Sequence, residues 1–159
     1  KGRRTLYMHF PSKEMLLRRV IEAELNRILD SLRVIARKDI PADRKIMEFV
    51  FSRLENVRHT VFRNGSLRAD FTRFYLTIDS IRRTYDKIEI NLIREVIVEG
   101  REQGLFRFGN ADVMAEIIHY SVKGLEVPYV RGLVAGNVDV RILERHARQV
   151  ILRGLGMDV

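Results

Sequence analysis

The chain has 159 residues, 46% of them apolar and 31% charged, enough to bury a core without metals or covalent staples and suited to one main domain. It has no cysteine, which excludes disulfides, thiolate zinc sites and cysteine nucleophiles and suits a reducing, cytoplasmic setting. Charges interrupt every apolar stretch before the ~18 residues of a membrane span, and no signal-peptide pattern is present, so no membrane partner is expected.

The net charge of +8 is unevenly placed. Residues 1–38 hold ten Lys/Arg and four Asp/Glu, or +6, and the other nineteen and seventeen leave only +2. A basic end of this kind suits a polyanion, with nucleic acid ahead of an anionic membrane.

Periodicity is helical almost throughout. Leu17, Val20, Ile21, Leu25, Ile28, Leu29, Leu32 and Ile35 form one apolar stripe, predicting a helix from about Lys13 to Arg37 with Ser12 as its N-cap. Pro41 breaks the pattern. Ile46, Phe49, Val50, Leu54, Val57 and Val61 mark a second helix, about Ala42 to Phe62, stopped by Asn64 and Gly65. An aromatic-rich stretch with Phe71, Phe74, Tyr75 and Leu76 reads as a separate short helix. A long one follows, carrying Ile81, Tyr85, Ile88, Leu92, Ile93, Val96 and Ile97 and closed by Gly104 in a left-handed C-cap.

Asn110 caps the next helix, expected to run to about Leu133, whose Val113, Met114, Ile117, Ile118, Val122, Leu125 and Val127 make a face broad enough for burial on more than one side. Pro128 must kink it or end its regular hydrogen bonding. A last helix, about Val138 to Leu155, shows Ile142, Leu143, Ala147, Val150, Ile151 and Gly154 on one side. The expected fold class is therefore all-α.

The opening string Arg3-Arg4-Thr5-Leu6-Tyr7-Met8-His9-Phe10-Pro11-Ser12-Lys13-Glu14-Met15-Leu16-Leu17 carries the most specific signal. It resembles the recognition helix, turn and following helix of the TetR/AcrR family of transcriptional regulators. Leu6 and Phe10, four apart, can anchor a short helix, leaving a polar and basic face for base edges and phosphates. The resemblance implies DNA-contacting roles for Arg3, Arg4, Thr5, Tyr7, Met8, His9 and Lys13, although Met8 stands where most members carry an aromatic. It also implies two more helices ahead of Lys1, to complete the helix-turn-helix. Residues 1–38 then form the remainder of the DNA-binding domain with a connecting helix, and residues 39–159 a helical effector-binding and dimerisation domain.

By the same resemblance, about Ala111 to Leu133 and Val138 to Leu155 from two subunits form a four-helix bundle, with Ser121, Gly124 and Gly154 permitting close approach. A small-molecule effector of unknown identity would lie among the helices. Phe49, Arg53, Phe71, Phe74, Tyr75, Tyr85, Leu92, His119 and Tyr120 offer aromatic walls and orienting groups, although each also reads as an ordinary packing residue. The implied function is a repressor released from a palindromic double-stranded DNA operator by its effector. The alternative is a helical homodimeric interaction or scaffold protein without specific DNA binding.

No enzyme and no cofactor are expected. Glu116 and His119 have the Glu-x-x-His spacing of carboxylate-bridged metal bundles, but His9, His59 and His146 lack the preceding glutamate that a second copy needs. Phosphate-binding glycine loops, nucleophile elbows and zinc-helix motifs are absent from the sequence.

Overall fold

The computed structural model describes residues 13–63, 75–134 and 140–158, and among these every regular element is a helix, as the periodicity predicts. In chain order they are α1 (Lys13–Ala36), α2 (Ala42–Arg63), α3 (Tyr75–Glu102), α4 (Ala111–Val130) and α5 (Val140–Gly154). None is long and apolar enough to cross a membrane. The fold shown is all-α.

The apolar stripes meet in one core. Leu32 from α1, Ile46, Phe49 and Val50 from α2, Ile93, Val96 and Ile97 from α3, Ala115 and Val122 from α4, and Leu152 from α5 are buried together. Burying each large side chain contributes roughly 1.5–3 kcal/mol, so the stripes decide how the helices pack. The helices α1 and α2 pack on α3, and α4 covers α2 and α3. The end of α5 is held by Leu152 and Leu155, by the Leu155 carbonyl accepting from Arg107 N at 2.8 Å, and by Arg148 donating to Asp43 at 2.7 Å.

The helix ends follow local chemistry. Pro41 lends its carbonyl to the amides of Arg44 and Lys45 at the start of α2. The Asn110 side chain accepts from Asp112 N and Val113 N at 2.9 and 3.1 Å, as expected of an N-cap. Gly104, at φ 74°, closes α3: Leu105 N donates to the Gly100 carbonyl and Gly104 N to that of Arg101, the paired bonds of a Schellman motif.

Two expected boundaries are corrected. Tyr75 and Leu76 do not belong to a separate short helix; they are the first residues of α3, which runs unbroken to Glu102. Pro128 sits in the last turn of α4, which ends at Val130, short of Leu133. The stop is Gly132, at φ 66°, where Gly132 N donates to the Tyr129 carbonyl and Leu133 N to that of Pro128. This is a second Schellman motif, and it stops the helix three residues before the Leu133 bound that the resemblance implies. Ser12, Asn64, Gly65, Phe71, Phe74 and Val138 lie outside the described residues.

Gly100 owes its place to close packing. A Cβ there would lie 2.2 Å from Cδ2 of Phe106, itself buried, and 2.9 Å from Cβ of Ala42. Gly100→Ala must displace the ring or separate α2 from α3, at a cost of about 1–3 kcal/mol. Urea unfolding should show a lower midpoint at unchanged slope, whereas an unchanged midpoint would contradict this packing.

Candidate functional site: a buried charge cluster between three helices

Charged residues interrupt the inward faces of α2, α3 and α4 at one level of the core. On α2 it is Arg53; on α3 they are Arg82, Asp86 and Glu89, spaced by four and three; on α4 they are His119, Lys123 and Glu126, spaced the same way. Such spacing stacks each set along one helix face, and helix packing turns the faces toward one another.

Arg53 lies at the centre, only 2% exposed. Its Nε donates to Glu89 Oε2 at 2.8 Å, and its Nη2 lies 2.7 Å from Glu126 Oε1, an ion pair poorly aligned for a hydrogen bond. Burial alone would lower the guanidinium's pKa, but Glu126 and Glu89, with Asp86 behind them, hold it above the ordinary value. Arg82 Nη2 donates to both oxygens of Glu126, at 2.9 and 2.7 Å.

Around Asp86 the cluster continues. Lys123 Nζ donates to its Oδ2 at 2.5 Å, and His119 Nε2 lies 3.3 Å from its Oδ1. Burial pushes the Asp86 carboxyl up, but the hydrogen bonds and charges of His119 and Lys123 outweigh it and bring it down to about 2. His119 Nδ1 faces Glu89 Oε2 at 3.5 Å, so this ring lies between Asp86 and Glu89.

A cavity of about 10 Å³ opens beside Arg53, walled by Phe49, Ile93 and Val122 and by Glu89, His119, Lys123 and Glu126. Nearer the end of α4, Tyr129 donates its hydroxyl to Glu55; burial, then this carboxylate, raise the phenol to about 12.

Of the residues proposed for an effector, Phe49, Arg53 and His119 meet at this cavity. Leu92 is half-buried against the core, Tyr85 reaches the Glu22 carbonyl at 3.4 Å, and Tyr120 stands on the outer side of α4, 55% exposed, edge-on to the His119 ring. Phe71, Phe74 and the Tyr75 side chain lie outside the described residues. So do Arg3, Arg4, Thr5, Tyr7, Met8, His9 and the Lys13 side chain, on which the DNA-contacting expectation rests. Sequence reasoning missed Arg82, Asp86, Glu89, Lys123 and Glu126. Their signal was charges at helical spacing inside apolar stripes.

Glu116 does not join His119 in a metal-binding arrangement. It is exposed while His119 is buried, and among the described residues no group of three or more acidic, histidine or cysteine side chains is placed to hold a metal ion.

Among solved structures, the chain is similar to a bacterial regulatory protein in the tetR family from Rhodococcus RHA1. The TM-score is 0.63 at 21% identity, over 99% of this chain and 82% of that one. At that identity the likeness shows the fold. No family model and no curated protein matches the sequence.

The cluster makes stability sensitive to acid. Asp86 titrates near 2 when folded against an ordinary 3.8, so its contribution is complete above about pH 4 and is lost as pH falls toward 2. Asp86→Asn should lower stability at pH 7 and flatten its fall between pH 4 and 2, as read by chemical denaturation at each pH. An equally steep fall in the variant would remove Asp86 from the explanation.

Proposed function

We propose that this chain is a ligand-responsive, DNA-binding transcriptional regulator of the TetR type, acting in the cytoplasm as a homodimer and without catalysis. The observation that carries the reading is the fold likeness along nearly the whole chain to a protein described as a tetR-family regulator. The string from Arg3 to Leu17 supports it, because its residues resemble the family's motif in order and spacing and it lies at the end of the chain where the positive charge collects. On this reading Arg3, Arg4, Thr5, Tyr7, Met8, His9 and Lys13 contact a palindromic operator, and an effector in the core releases the repressor.

The outer face of α4 supports the homodimer. Val113, Ile117, Tyr120, Gly124 and Val127 recur at spacings of four and three, and the large ones are half or more exposed. Ile142 and Val150 of α5 are exposed as well. A stripe with this period is suited to a second helical pair, and Gly124, beside which a Cβ would meet nothing within 4 Å, leaves room for close approach. A second copy of the chain supplies the matching surface through a two-fold axis.

Full-length protein should bind operator DNA from its own promoter region as a dimer. Its affinity should fall roughly 10³-fold or more between 50 and 200 mM salt if several phosphates per half-site are contacted. Light scattering should give twice the chain's mass, and Ile117→Glu should give monomers that no longer bind the palindrome. A protein that stays dimeric yet never shifts the DNA at low salt would favour the interaction-protein alternative.

A further inference from the structure

The guanidinium of Arg53 offers more donors than the cluster around it uses. Its Nε donates to Glu89, and its Nη2 is paired with Glu126. Its Nη1, with two N–H groups of its own, meets no acceptor among the described residues, although Arg53 is only 2% exposed. A buried donor without an acceptor bears the full cost of losing water, and a donor on a charged group bears more.

The cavity that Arg53 lines bounds what can serve Nη1. At about 10 Å³ it has room for about one water and nothing larger. Its wall carries charges of both signs, Arg53 and Lys123 against Glu89 and Glu126. An anion there would meet two carboxylates, and a cation would meet the guanidinium and the ammonium. A neutral molecule that both accepts and donates suits such a wall. A hole of this size lined only by groups like Phe49, Ile93 and Val122 would stay dry, but here three helices each bring a polar partner to it.

We infer that this cavity is a binding site for one ordered water, which accepts from Arg53 Nη1 and donates to the carboxylates of Glu89 and Glu126. The water belongs to the three-helix junction itself, and its site depends neither on DNA binding nor on an effector. It completes the donors of Arg53 and links α2 to α3 and α4 at the level where their ion pairs meet. A buried water with about three such partners is costly to remove.

The test is a crystal structure of the protein grown with sodium bromide, at a resolution that defines ordered waters. It should show one peak within about 3.2 Å of Arg53 Nη1, in reach of Glu89 and Glu126, with no anomalous bromide signal. Bromide at that position would overturn the choice of a neutral ligand, and a cavity without density would overturn the site. In solution, the relaxation dispersion of the water-oxygen nucleus counts long-lived interior waters. Val122→Ile places one more methyl group against the cavity and should lower the dispersion amplitude by one water, whereas Val122→Ala should not. An unchanged amplitude in a cooperatively melting Val122→Ile variant would overturn the site as well. If that variant does not melt cooperatively, the wild-type crystal decides.

Discussion

A guanidinium with 2% of its surface exposed cannot stay in a protein core alone, and that constraint organises the middle of this molecule. Arg53 must leave water with its partners or not at all. The partners lie 36 and 73 residues further along the chain, on two other helices. The three helices α2, α3 and α4 therefore have to assemble in one register, since a slide of one turn along any of them, about 5.4 Å, would strand Arg53, Glu89 or Glu126 uncompensated. The Lys45–Glu99 pair at 2.7 Å fixes α2 on α3 at a second level, and Tyr129 ties α4 to Glu55 of α2. The hydrophobic stripes supply the driving force for packing, but apolar side chains alone tolerate sliding more easily than a buried ion set does.

Helix α4 joins two environments through one set of backbone hydrogen bonds. Its inner face carries Ala115, Ile118, His119, Val122 and Glu126, and its outer face Val113, Ile117, Tyr120 and Val127. On the proposed reading the inner face senses what occupies the core and the outer face sets how two subunits meet. A shift of α4 caused by a core ligand is then also a shift of the dimer, with no relay between them. The His119 and Tyr120 rings, edge to face with centroids 5.0 Å apart, sit at the boundary of the two faces.

The elements were legible where local chemistry decides them. The stripes of α1, α2 and α3, the Asn110 cap and the Gly104 stop all followed from spacing and capping within a turn or two. Reading failed at two boundaries: Gly132 ends α4 short of the Leu133 bound that the resemblance implies, and Tyr75 reads as part of a separate aromatic helix although it opens α3. Arg53 and His119 were legible as candidate orienting groups for a ligand, but what they meet was not. Periodicity tells which face of a helix is inward and says nothing about which inward charge lies opposite another. Glu89 and Glu126 are ordinary helix residues until tertiary packing brings them to one guanidinium.

The most direct test of this account is a double-mutant cycle on Arg53 and Glu126 followed by chemical denaturation. Arg53→Met alone should cost about 3–5 kcal/mol, because it leaves Glu89 and Glu126 buried without their shared cation. Adding Glu126→Leu should return a large part of that loss, with a coupling of about 1–3 kcal/mol. Losses that simply add, or an Arg53→Met variant as stable as the wild type, would mean that the hydrophobic stripes alone hold the three helices in register.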